Sequence, residues 1–134
     1  MEDNINYEIY TENILEKAKD KSFDLQDSDD IEKYIFGKGV NPSCGDMGHM
    51  YVLLEKNEHG DSIIKNIKLK KEGCAISVAG MNMLSEKLIG QNLDNFKNIV
   101  PGDIYSMLGI RISPSRAGCA LLCYNAFEDF LKKI

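Results

Sequence analysis

Three cysteines and an aspartate carry the reactive side chains of this sequence, and each sits in a distinctive run of residues. Asn41-Pro42-Ser43-Cys44-Gly45-Asp46 lies mid-chain, Glu72-Gly73-Cys74-Ala75-Ile76-Ser77 follows, and Pro114-Ser115-Arg116-Ala117-Gly118-Cys119 comes late. Thiolates bind soft metal ions strongly, whereas a carboxylate is a harder ligand that is displaced more easily. Three thiolates and one carboxylate from separate segments therefore suit a tetrahedral zinc ion or a thiolate-ligated iron–sulfur cluster. The spacings are too long for a zinc finger, whose ligands come in close pairs, and a purely structural zinc module would bury such pairs. Four unrelated core cysteines are the plain alternative that composition alone leaves open.

Local sequence says how these residues are presented. Pro42 and Gly45 predict a turn holding Cys44 and Asp46, because proline fixes φ and glycine tolerates left-handed backbone. Cys74 follows a glycine at the start of an apolar helical stretch, and Cys119 falls in the first turns of another helix. Backbone N–H groups and the macrodipole at a helix N-terminus favour the thiolate, so both positions are expected to ionise readily.

The elements around them follow from periodicity. Tyr7, Tyr10, Ile14 and Ala18 predict an amphipathic helix over 7–19. Asp24, Asp27, Asp29, Asp30 and Glu32 read as a solvated loop; the stretch lacks the glycine and distal glutamate of a calcium loop. Residues 34–40 predict a short edge strand, with Gly37 and Gly39 serving backbone freedom, since no helix follows to make a phosphate loop. Met50, Val52 and Leu54, then Ile67 and Leu69, alternate with other residues as in a hairpin joined through Asn57-Glu58-His59-Gly60-Asp61. His59 reads as a solvated tip and His49 as a sheet residue, because a strand would turn it to the opposite face from Asp46. After Cys74, a buried helix face runs from Ile76 to Leu88, ending near Gly90. Short helices are predicted over 92–100 and 103–108, the second capped by Asp103 and ended by Gly109. Ser113 and Pro114 open a last helix whose buried stripe is Leu122, Ala126, Phe127 and Phe130. Cys123, one turn past Cys119, reads as a small core hydrophobe.

The chain of 134 residues is expected to form one domain, 1–134, without repeats or linkers. A net charge of −5 gives no basic footprint for nucleic acid. No apolar run approaches the roughly 18–20 residues needed to cross a bilayer. The N-terminus, Met1-Glu2-Asp3-Asn4, lacks the order of a signal peptide, which points to a cytoplasmic address where thiols stay reduced. Four cysteines there are expected to be ligands or reactive thiols, not disulfides.

The words around the cysteines carry more. Asn41-Pro42-Ser43-Cys44-Gly45-Asp46, Gly73-Cys74-Ala75-Ile76-Ser77 followed by Met83-Leu84, and Arg116 three residues before Cys119 resemble the U-type iron–sulfur scaffold family of IscU, SufU and NifU N-terminal domains. The resemblance runs from about Tyr10 to Leu131. It implies an α+β fold of SufE/NifU-like type, with a small antiparallel sheet packed against several helices and an exposed site at one end. It also implies that Cys44, Asp46, Cys74 and Cys119 are the ligands of a cluster or of zinc. The implied function is that of a scaffold, a carrier more than an enzyme. It binds iron, receives sulfur from a PLP-dependent cysteine desulfurase, and passes a transient [2Fe–2S] cluster to acceptor apo-proteins. The alternative is a zinc-dependent sulfurtransferase, with Zn2+ as resting metal and Cys119 accepting persulfide from a SufS-type desulfurase. Arg116 then either favours the Cys119 thiolate and steers the persulfide or forms a surface ion pair. The chain departs from IscU-type members in having Gly118 where they carry histidine. It has Ile112-Ser113-Pro114-Ser115-Arg116 where they carry the segment recognised by a dedicated Hsp70, so that partner is not implied. It departs from SufU in lacking an insertion, since 44 residues lie between Cys74 and Cys119.

Overall fold

The alternating apolar residues in the middle of the chain build a three-stranded antiparallel sheet in the computed structural model, which describes residues 12–134. Strands β1 (Ile35–Asn41), β2 (Asp46–Lys56) and β3 (Ser62–Glu72) stand in sequence order. Asn41 lies opposite Asp46, and Lys38, His49 and Lys70 form one cross-strand row. The β2–β3 connection is closed by Asn57, whose side-chain oxygen accepts the N–H groups of His59 and Asp61 at 2.9 Å each. Register shifts at Leu53/Leu54, so Leu54 is only half-buried while Met50 and Val52 are fully covered.

Among the described residues five helices accompany the sheet: α1 (Glu12–Ala18), α2 (Ala75–Leu88), α3 (Pro101–Leu108), α4 (Ala117–Ala120) and α5 (Leu122–Leu131). The inward side chains Met50, Val52, Ile64, Ile67 and Leu69 meet Ile76, Met81, Leu84 and Leu88 of α2 and Leu122, Phe127 and Phe130 of α5 in one buried cluster. The expected α+β architecture is what forms. Gly37 and Gly39 answer to α5 rather than to a ligand. A Cβ at Gly37 would lie 2.2 Å from the Ala126 carbonyl, and one at Gly39 2.5 Å from that of Leu122. Side chains of the helix C-terminal end reach β1 as well: Asp129 accepts the Lys38 N–H at 2.8 Å and Lys133 donates to the Phe36 carbonyl at 2.9 Å.

Several expectations are corrected. Tyr7 and Tyr10 lie outside the described residues; Ile14 is buried and Ala18 packs on the core. The acidic stretch is not simply solvated. Phe23 and Leu25 run along β3, with Leu69 donating to the Phe23 carbonyl at 2.8 Å and Leu25 donating to the Leu69 carbonyl at 2.9 Å. Asp24 pairs with Lys71, and Asp29 with Lys68 at 3.6 Å, so basic residues of the strand hold the segment down. Over 92–100 there is one 3-10 turn, Leu93–Phe96. Helix α3 starts at Pro101, and Asp103 caps it from inside the first turn by accepting the Val100 N–H at 2.9 Å; Gly109 ends it with φ 69°. The last helix comes in three pieces: a 3-10 turn Pro114–Arg116, then α4, then α5 beyond Leu121. Ser113 does not cap with its side chain; its hydroxyl meets that of Ser115 at 3.0 Å. Neither proline nor glycine marks the step at Leu121.

Candidate metal centre

The helix-facing side of the sheet is apolar through Met50, Val52, Ile64, Ile67 and Leu69 and turns polar toward its end. There Asn41 and Asp46, paired across β1 and β2, replace hydrocarbon with polar groups, 9% and 5% exposed. The connection between them is tied by the Asn41 carbonyl, which accepts the N–H groups of Cys44 at 3.2 Å and Gly45 at 2.9 Å. Gly45 has φ 74°, a left-handed geometry that fits glycine. This turn lifts Cys44 into solvent. Asp46 is not in the turn, as its sequence neighbours suggest, but opens β2 with its carboxylate inward. Gly73, with φ 152°, makes room for it: a Cβ there would stand 2.7 Å from Asp46 Oδ1. Cys74 follows as the N-cap residue of α2, and Cys119 comes from α4, 1% exposed.

These elements bring the sulfurs of Cys44 and Cys119 and a carboxylate oxygen of Asp46 within 4.8 Å of one another. The two sulfurs are 4.0 Å apart. Two sulfurs on one tetrahedral zinc, each at about 2.3 Å, stand about 3.8 Å apart, so the donor set and its spacing fit such an ion with little movement. Cys74 is outside this triangle and is tied to it through Ser77, which reaches both its sulfur and the Asp46 carboxylate. Two further polar residues hold the set in place. Ser77 donates its hydroxyl to Asp46 Oδ2 at 2.6 Å and lies 3.6 Å from the Cys74 sulfur. Asn41 points its amide nitrogen at the Cys119 sulfur at 3.6 Å.

The two helix-borne thiols differ in charge preference. Burial opposes ionisation of Cys74, but the Ser77 N–H and hydroxyl, the Cys119 thiol and the Ile76 N–H outweigh it and hold this thiol below its ordinary value. Cys119 departs from expectation. Burial first, then the neighbouring Asp46 and Cys74, push its thiol up to about 12, because a second anion in a dry corner is unfavourable without a cation. The helix N-terminus therefore favours the thiolate at Cys74 alone. A bound metal ion is the kind of positive charge that would reverse the preference at Cys119.

The remaining sequence candidates lie elsewhere. His49 is on the opposite sheet face from Asp46, edge-on to Phe36 at 5.0 Å; burial, then Lys38 and Lys70, lower its pKa. Cys123 is fully buried, with its sulfur 3.7 Å from the Ala120 carbonyl and its pKa raised to about 12 by burial. Arg116 ends the 3-10 turn and is half-buried. Sequence reading passed over Asn41 and Ser77, although each had a signal. Asn41 begins the first cysteine motif, and Ser77 stands one helical turn from Cys74.

Known proteins share this arrangement of chain. The sequence is 28% identical over 144 residues to the iron–sulfur cluster assembly scaffold protein IscU of Thermotoga maritima, covering 94% of each chain. It is 28% identical over 110 residues to the zinc-dependent sulfurtransferase SufU of Bacillus subtilis, covering 69% of this chain and 71% of the other. Its fold superposes on a Fervidobacterium islandicum protein described as a cluster assembly scaffold for the SUF system, with TM-score 0.66 and 29% identity over 89% of this chain and 93% of that one. A NifU-like N-terminal protein of Brucella abortus has the same fold, with TM-score 0.67 at 18% identity over 94% of each chain. No described helix is long and apolar enough to cross a membrane. The family profile of the NifU-like N-terminal domain matches residues 9–133, and the chain belongs to that family.

Proposed function

We propose that this protein is a scaffold on which an iron–sulfur cluster is assembled and from which it is released, with Cys44, Asp46, Cys74 and Cys119 as the ligands. The observation that supports this reading is the meeting of Cys44, Asp46 and Cys119 within 4.8 Å, with Cys74 joined to the set through the Ser77 hydroxyl. Iron and sulfide are substrates here, and the site handles them from its exposed side. Cys44 stands in solvent while Asp46 and Cys119 form the floor. A thiolate of the chain attacks the outer sulfur of a persulfide on a PLP-dependent cysteine desulfurase. A new S–S bond forms, the donor's S–S bond breaks, and the desulfurase cysteine leaves as its thiolate. Reduction of that sulfur to sulfide draws electrons from iron(II) as it becomes iron(III) and from a thiol reductant. Asp46, the harder ligand, is the point at which an acceptor protein's thiol displaces the scaffold. Reduced thiols suit a cytoplasmic setting.

The second reading is a zinc-dependent sulfurtransferase, favoured by the likeness to the Bacillus subtilis sulfurtransferase. In it, zinc would be held by the same four residues and would keep the three cysteines as thiolates. Cys119, the acceptor expected from sequence, is only 1% exposed, so on access the first thiol a partner meets is Cys44. One experiment separates the two readings. The metal-free protein is reconstituted anaerobically with a desulfurase, cysteine, iron(II) and a thiol reductant, followed by absorbance and then by delivery to apo-ferredoxin. Acid-labile sulfide with iron and delivery of a cluster is the expected result. Tight zinc, no reconstitutable cluster and stimulation of the desulfurase would replace the scaffold by the sulfurtransferase.

A further inference from the structure

Asn41 is the last residue of β1 and is 9% exposed, yet no ligand role falls to it. Its backbone carbonyl closes the Cys44 turn, and its side chain crosses to the other wall of the site, where Nδ2 lies 3.6 Å from Cys119 Sγ. The residue before Cys119 is Gly118, whose backbone is exposed and could carry a side chain toward solvent by access alone. It has no room on the side that matters. A Cβ at Gly118 would lie 2.9 Å from Asn41 Oδ1 and 3.0 Å from both Cγ and Nδ2. The amide and the glycine are thus two halves of one arrangement.

We propose that Asn41 is a positioning residue for the metal centre: its amide N–H donates to the Cys119 sulfur, and Gly118 is glycine so that the amide can reach it. The inference rests on the reading of Cys44, Asp46, Cys74 and Cys119 as ligands. An N–H donor on a coordinated thiolate draws electron density from sulfur, fixes the direction of its lone pairs, and makes the metal less electron-rich. Cys119 needs such a donor more than its partners do, because it sits in the dry corner beside the Asp46 carboxylate, whose Oδ2 is already taken by Ser77. The same packing excludes a ligand from position 118, which leaves Asp46 as the sole non-sulfur donor among the proposed ligands.

The test uses cobalt(II), titrated anaerobically into the metal-free protein, because thiolate-to-cobalt charge-transfer absorption reports the electron density on sulfur directly. Asn41→Ala and Asn41→Leu, the second keeping the bulk while removing the donor and adding neither charge nor ligand, are expected to move the band to lower energy. They are also expected to weaken cobalt binding about 10–100-fold, the usual cost of losing a partner of a metal ligand. Gly118→Ala should do the same by pushing the amide away, and Asn41→Ala/Gly118→Ala should be no worse than Asn41→Ala alone. Unmoved bands in both Asn41 variants, or additive losses in the double variant, overturn the role of Asn41 while the metal centre stands. Absence of any thiolate band in the unaltered protein overturns the metal centre and this inference with it. A purely structural role for Asn41 would lower the urea midpoint without moving the band, and that outcome also overturns the proposal.

Discussion

Asp46 holds a charge-bearing group almost out of water, with the Ser77 hydroxyl on one oxygen and the Gly73 backbone against the other. Such a group is costly unless the site uses it. Asp46→Ala is expected to leave a bound cluster more persistent under air and slower to reach apo-ferredoxin, because the displaceable ligand is gone while three thiolates remain. The same variant strands the Ser77 hydroxyl, at about 1–3 kcal/mol, which lowers the urea midpoint of the metal-free protein. Faster cluster decay with unimpaired delivery would refute the role given to the carboxylate. Ser77→Ala keeps the ligand but frees its rotation, so zinc affinity measured by competition with a chromophoric chelator should fall about 10–100-fold. That Cys44, Asp46 and Cys119 come together was expected from the motifs around them, whereas Ser77 was passed over. The charge states were not legible in the sequence. Helix position alone suggested that Cys119 ionises; burial beside Asp46, a tertiary fact, decides otherwise.

At the level of elements, close approach replaces side-chain chemistry as the constraint. Helix α5 lies directly on the β1 backbone at Gly37, where a Cβ would also stand 2.7 Å from Phe130 Cβ. Gly37→Ala is expected to cost about 3 kcal/mol or more, seen as an early urea transition, since backbone must move to admit the methyl. Gly102→Ala is the control, because nothing lies within 4 Å of its Cβ and it belongs to α3; it should raise stability by up to about 1 kcal/mol. The strands and helix α2 were readable from alternation and from apolar spacing. The reason for Gly37 was not, because it depends on what lies across from it. The division of the last helix was equally hidden, since Pro114 announces a start but no residue announces the step at Leu121.

Across the whole molecule, the two thiols held protonated by the fold make stability respond to alkali. Their folded pKa values, about 12 for both Cys119 and Cys123, lie above the unfolded value near 8.5. A raised pKa contributes stability that is complete below the unfolded value and is lost as pH climbs toward the folded one. The urea midpoint of the metal-free protein should therefore fall steadily from about pH 8.5 upward. Cys123→Ala should flatten that decline and leave zinc stoichiometry unchanged, because Cys123 is enclosed by Ala120 and Gly80, away from the proposed ligands. An undiminished slope in the variant would show that its thiol titrates alike in both states. The sheet has a consequence of its own. A three-stranded sheet exposes two rims to which a foreign strand can pair. Here Asp129 and Lys133 occupy the Lys38 N–H and Phe36 carbonyl on one rim, and Phe23 and Leu25 occupy the Leu69 groups on the other. Main-chain recruitment of another polypeptide is thereby hindered at these points of both rims. For a carrier of the kind proposed, the loop end that holds Cys44 is then the more open place of meeting.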